Sequence, residues 1–185
     1  MGNFLEAIGI DLKREEMQKT PERVTAMYEY LFEGMNQSTK EIWGELFTSN
    51  NEGLVAIKDI PFYSMCEHHL VPFFGKVAIV YKPHCGQVAG FSKFTKLVDI
   101  ISHRPQIQER VTEDIAKAIM EDLQAEGVLV VVEAQQLCMT MRGDGAHGTS
   151  TITSVGYGCM EEKGTEYHQA WCLLGGNKEE EIHKG

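Results

Sequence analysis

The chain of 185 residues has no run of eighteen or more apolar residues, the length a helix needs to cross a bilayer, so no membrane span is expected. It is short of positive charge, with 17 Lys and Arg against 27 Asp and Glu and a formal net charge of −10. Non-specific binding to nucleic acid needs a basic footprint, so nucleic acid is not an expected partner. A small anionic ligand would need a local cluster of cations within an acidic protein. The first residues bring Glu6 early and no basic stretch ahead of an apolar run, which predicts no secretory signal. Position 6 also lacks the Ser or Thr of a myristoylation start. A cytoplasmic protein is expected. Cysteines are few, odd in number and far apart (Cys66, Cys85, Cys138, Cys159, Cys172), a pattern suited to metal binding or buried thiols rather than to a disulfide framework. No internal repeat or low-complexity tract is present. What the chain does have is 43% apolar residues, enough for the core of one ordinary domain.

Periodicity divides the chain. Residues 2–9 offer a short helical pattern. Thr20 and Pro21 suit the start of a helix in which Val24, Met27, Tyr28, Leu31 and Phe32 recur at three- and four-residue spacing, with Gly34 ending the run. Residues 36–53 read as a polar loop with a weak helical piece around 41–47. Strands are expected over 54–62 and 76–81, separated by a polar segment around Cys66. Ser92 reads as the N-cap of a helix reaching to about 103, and a longer helix spans 105–126 with Gly127 as its C′ residue. Val-rich sequence from 128 continues as a strand to about 141. Residues 142–148 form a glycine-bearing turn, and β-branched residues over 149–157 close the pattern as a last strand. The expected domains are an N-terminal helical region over 1–53, a catalytic domain over 54–160 and a polar, frayed tail over 161–185. Two strand pairs flanking a helix pair predict an α+β domain, a four-stranded antiparallel sheet with two helices on one face. The open edges of such a sheet need covering, which assembly of several subunits would do.

The chemistry concentrates at Cys66-x-x-His69, a thiolate and an imidazole on one short turn, with Cys138 as a possible third ligand from far along the chain. Three ligands of mixed sulfur and nitrogen type leave a fourth position for water, the catalytic arrangement for zinc, which lowers the pKa of that water to about 7. His68, next to a ligand, is placed to shuttle protons. A lone Cys-x-x-His also occurs where thiols are simply buried and histidines cap loops, so spacing leaves both readings open. Cys85, Cys159 and Cys172 read as structural, and Glu67 as a solvated or capping carboxylate.

Longer strings narrow the choice. The stretch from Ser64 to Gly75, SMCEHHLVPFFG, is similar to the zinc motif of the GTP cyclohydrolase I family. GFSK over 90–93, RPQIQERVT over 104–112, VVEA over 131–134 with CMTMRG over 138–143, and the Thr20-Pro-x-Arg23-Val start of the first long helix resemble further blocks of that family in the same order. The resemblance covers about residues 5–158. It implies the tunnelling fold (T-fold) and Zn2+ held by Cys66, His69 and Cys138. It also implies His68 as acid/base, and Gln108 and Glu109 at the guanine edge. Ser92, Lys93, Lys96, Arg142 and Arg23 would hold ribose and triphosphate. It implies GTP as substrate, opened at C8 by zinc-activated water with loss of formate and reclosure to 7,8-dihydroneopterin triphosphate. A homodecamer of two stacked pentamers, with sites between subunits, also follows from it.

The departures from the family pattern are specific. Gln136 stands where the family carries a second histidine, and an amide cannot shuttle a proton near neutrality. Lys96 replaces an arginine, keeping charge without bidentate geometry. Ala26 and Ala146 stand where relatives offer lysines to phosphate, and the sequence after Gly158 does not match. Three readings therefore accompany the full cyclohydrolase: an enzyme that stops at a ring-opened formamide, one that uses another guanine nucleotide, and a zinc- and nucleotide-binding homologue without turnover. Alternatively, His147 or water stands in for the missing histidine and the full reaction proceeds.

Overall fold

The chain was analysed as a computed structural model that describes residues 1–50, 53–141 and 148–175. Its elements run in the order α1 (Gly2–Ala7), α2 (Thr20–Leu31), β1 (Phe47–Thr48), β2 (Val55–Cys66), β3 (Pro72–Lys82), β4 (Gln87–Val88), α3 (Phe91–Ser102), β5 (Pro105–Gln106), α4 (Gln108–Asp122), β6 (Gly127–Gln136), α5 (Leu137–Thr140), β7 (Thr151–Gly158) and α6 (Tyr167–Leu173).

The expected four antiparallel strands are present in the order β2-β3-β6-β7, and β5 adds a fifth at the β2 edge. β2 pairs β3 antiparallel, with a bulge between Ile57 and Ile60, and β3 pairs β6 along its whole length. Alternation decides what each face does. Val77, Ile79 and Tyr81 of β3 and Val128, Val130 and Val132 of β6 point to one side, all fully buried. There they meet Phe94, Leu97, Val98 and Ile101 of α3 and Val111, Ile115 and Ile119 of α4. Each of these larger side chains contributes about 1.5–3 kcal/mol of burial. The N-terminal segment is pinned to the same core by Trp43, whose ring stands 5.3 Å from that of Phe94.

Several boundaries differ from the sequence expectation. β2 continues to Cys66 rather than stopping at 62, because Ser64 and Met65 remain in register with Phe73 and Pro72. α3 starts at Phe91 with Gly90 as N-cap, so Ser92 lies inside the first turn. The long helix neither begins at 105 nor reaches 126. Pro105 and Gln106 pair in parallel with Met65 and Cys66, and Gln124 takes a left-handed conformation (φ +54°) just past the helix. Gly127 is thereby the first residue of β6 rather than a helix cap. A Cβ there would stand 2.5 Å from Cys159 Sγ, so glycine lets the segment after β7 come close. β6 ends at Gln136, and Cys138 sits in the helical turn α5 instead of on a strand. The weak helical piece near 41–47 is a 3-10 turn, Lys40–Ile42, followed by β1.

Past β7 the chain forms α6, which packs on the opposite face of the sheet. Ala170 and Met160 bury there against Val80 and Leu129, and Lys82 Nζ reaches Glu166 Oε1 at 2.8 Å. The tail expected to fray from 161 is thus folded at least to residue 175. α2 has no buried residue within the single chain, although it carries the expected apolar spacing. No helix among the described residues is long and apolar enough to cross a membrane.

Candidate active site

The end of β2 delivers the first sulfur. Cys66 is the last strand residue, 6% exposed, and is held on both sides. Its N–H donates to the Val71 carbonyl at 3.0 Å, and its neighbour Glu67 donates N–H to the carbonyl of Gln106 at 3.0 Å. The short β5 thereby fixes where β2 stops. The chain then turns through Glu67, His68, His69 and Leu70, with the N–H of Leu70 returning to the Cys66 carbonyl at 2.8 Å. Leu70 has φ +50°, a left-handed conformation that a branched side chain adopts only when its surroundings hold it.

Cys138 reaches this turn from α5. The ligand atoms of Cys66, His69 and Cys138 lie within 4.8 Å of one another, the one such His/Cys/Asp/Glu group among the described residues. Cys66 Sγ stands 3.8 Å from His69 Nδ1. Zinc bonds of about 2.3 Å to sulfur and 2.0–2.1 Å to nitrogen at a tetrahedral angle require about 3.6 Å between those atoms, so the donors fit such an ion with little movement. Two thiols and an imidazole also form the soft and borderline donor set that zinc favours.

Around this cluster is a cleft of about 260 Å³, lined by Cys66, His68, Gln108, Glu109, Gln136 and Cys138 among others. His68 is exposed, with Nδ1 3.9 Å from Cys66 Sγ and Nε2 3.8 Å from Glu67 Oε1. Glu67 is neither a free nor a capping carboxylate. Arg110 of α4 grips it with two N–H groups at 2.6 and 3.3 Å, which holds its carboxyl below the usual range.

Gln108, the first residue of α4, is 4% exposed and its amide is engaged within the chain. Nε2 donates to the carbonyls of Val132 and Thr151, each at 3.0 Å, and to Thr153 Oγ1 at 3.2 Å. Oε1 accepts from Gln136 Nε2 at 2.8 Å and from the Thr151 hydroxyl. Gln108 therefore fastens the start of α4 to β6 and β7, which aims the next residue, Glu109, at the cleft mouth. Gln136 bonds to Gln108 instead of standing free beside the metal ligands. Sequence reading overlooked Gln106, Met139, Thr151 and Thr153 as lining residues. Gln106 was legible only as part of the RPQIQER block, and the threonines only as strand formers.

Among the described residues, none of the cations expected on phosphate lines this cleft. Ser92 and Lys96 are exposed on α3, Lys93 is half-buried beside them, and Arg23 is exposed on α2. Arg142, together with Ala146 and His147, lies outside the described residues.

Comparison with known proteins decides the family. The GTP cyclohydrolase I family profile matches residues 1–174. The chain belongs to the GTP cyclohydrolase I family. Among curated relatives, a GTP cyclohydrolase 1 of Halalkalibacterium halodurans is 52% identical over 151 residues, covering 82% of this chain and 80% of that protein. A GTP cyclohydrolase 1 of Streptococcus agalactiae is 46% identical over 171 residues, 92% and 91% of the two chains. A solved structure of an archaeosine synthase QueF-like protein in the apo form shares 20% identity and a TM-score of 0.49, over 60% of this chain and 97% of that one. The family is one of hydrolytic enzymes, and the α+β architecture expected from the sequence, an antiparallel sheet with helices packed on it, is the one the chain adopts.

Proposed function

We propose that this chain is a zinc-dependent GTP cyclohydrolase I, which hydrolyses the imidazole ring of guanine in GTP, releases C8 as formate and forms 7,8-dihydroneopterin triphosphate. The single observation that carries the reading is the convergence of the ligand atoms of Cys66, His69 and Cys138 at a cleft that Cys66 and Cys138 line together with His68 and Glu109. When bound, the ion supplies a Lewis acid that activates water at neutral pH. The protein's own groups do the rest. His68 lies in the cleft beside the ligands, where an imidazole can give and take the protons that ring opening and formate release require. Glu109, aimed by the Gln108 amide, accepts hydrogen bonds from the ring N–H and amino group of guanine. Gln108 acts through this positioning, since its own donors and acceptor are engaged.

Ser92, Lys93, Lys96, Arg23 and Arg142 are assigned to ribose and triphosphate. Those described do not line the cleft of the same chain, which supports a site completed between subunits. Other features support assembly. Among the described residues β7 has a strand neighbour on one side only, and β2 is covered at its outer edge by two residues of β5. Tyr63 and Ile152 are more than 60% exposed, and α2 buries nothing. A homodecamer of two stacked pentamers, in the cytoplasm, accommodates all of these.

One observation favours a second reading. Gln136 is bonded to Gln108 and carries no titratable proton, so a later step can stall at a ring-opened formamide. Incubation of purified, zinc-loaded protein with GTP separates the two. Formate and fluorescent pterin in equal amounts support the full reaction, GTP consumption without formate supports the stalled one, and no consumption contradicts both. Parallel incubations with dGTP, GDP and GMP test the nucleotide preference, for which a clear advantage of GTP is expected.

A further inference from the structure

The turn that carries His68 and His69 is fastened from two sides by residues outside the cleft. Glu67, His68, His69 and Leu70 are all exposed, so burial does not fix the turn. On one side Tyr28 of α2 donates its phenol O–H to the Leu70 carbonyl at 3.1 Å, across 42 positions of sequence. The acceptor belongs to the residue held at φ +50° immediately after His69. The Tyr28 ring is itself backed by Phe32, with centroids 5.5 Å apart, and shares an apolar groove with Met35 and Leu70. On the other side the Arg110 guanidinium holds Glu67 through two N–H groups, a fork-on-carboxylate geometry that fixes direction as well as distance. The two tethers come from helices in different parts of the chain and end on the residues that bracket the histidine pair.

We propose that Tyr28 and Arg110 are positioning residues that hold the Cys66–Leu70 turn ready to accept the metal, keeping His69 beside Cys66 and His68 facing the cleft. The inference rests on the metal-dependent reading above. A loop ordered before the ion arrives does not lose its ordering free energy from the binding affinity. Partners one step removed from the ligands typically change metal affinity or activity by about 10–100-fold, and two tethers on the backbone and on a neighbour belong at the lower end.

Three variants of the full chain test this: Tyr28→Phe, which removes one hydroxyl, Arg110→Met, and Arg110→Lys, which keeps the charge without the fork. Zinc release from the loaded protein to a chelator, amide exchange at His69 and Leu70 in metal-free protein, and kcat and KM for GTP are measured. Circular dichroism and the thermal midpoint check the fold. Tyr28→Phe and Arg110→Met are expected to release zinc about tenfold faster, to exchange those amides faster without metal, and to lose kcat with KM little changed. Arg110→Lys is expected to recover part of the loss. Folded variants that release zinc and exchange amides at the wild-type rate overturn the proposal. Wild-type protein that holds no zinc counts instead against the proposed function, while exchange in the metal-free chain still reads the tethers.

Discussion

The side-chain amide of Gln136, at the end of β6, donates to Oε1 of Gln108, at the start of α4, across 2.8 Å. This bond ties the strand leading to Cys138 to the helix that presents Glu109, so one amide pair links the Cys138 side of the cleft with the Glu109 side. Gln136→Leu leaves Oε1 of Gln108 with the Thr151 hydroxyl alone and is expected to raise KM for GTP more than it lowers kcat. Gln136→His supplies a titratable group instead. If a late proton transfer limits turnover, pterin formation should rise by up to about 10²-fold, which fluorescence against total formate checks.

Metal binding and proton transfer should separate by mutation. Cys138→Ser is expected to lose both bound zinc and turnover, because a thiolate ligand is replaced by a poor one. His68→Asn is expected to keep the zinc while kcat falls by about 10²–10⁴-fold. Elemental analysis beside steady-state kinetics distinguishes the two patterns. Equal zinc loss in both variants would place His68 among the ligands.

The segment after β7 should matter to stability. Met160 is fully buried against Val80 and Leu129 on the face away from α3 and α4. Met160→Ala is expected to cost about 2–5 kcal/mol in urea unfolding. A change near zero would show that α6 is not docked in solution.

The same junction sets an acid limb. Hydrogen bonds from Lys82 and then Thr165 hold the Glu166 carboxyl below its ordinary 4.5. A depressed carboxyl contributes stability that is present above its unfolded value and is lost as pH falls through the folded one. The thermal midpoint should therefore fall as pH drops from about 4.5, and Glu166→Gln should flatten part of that fall. Lys82 is shifted upward by Glu166 and Glu126, so its contribution is present at neutral pH and is lost only in strong alkali.

Much of this molecule was legible in its sequence, for identifiable reasons. The helix and strand periods of Val111, Ile115, Ile119 and Val128–Val132 are dictated by what each face buries, so α4, β6 and the layering followed. Cys66 and His69 were legible because three positions of chain hold them together. Cys138 was legible as a possible third ligand by residue type and was singled out by the family resemblance, and its place on a helical turn escaped because four residues carry no period. β5 escaped for the same reason. The grip of Arg110 on Glu67, the burial of the Gln108 amide and the docking of α6 depend on contacts between distant positions, to which local propensity is blind. Lys93, Lys96 and Arg23 were legible as cations in or beside family blocks, but their absence from the lining of the cleft of their own chain was not.

The most direct measurement is the zinc content and GTP turnover of natively purified protein before chelation, after it, and after zinc is restored. About one zinc per chain is expected, given the one three-donor cluster among the described residues, with formate production lost on chelation and recovered with zinc. Turnover that persists in metal-free protein, or a native chain that carries no metal and binds none, would contradict the account.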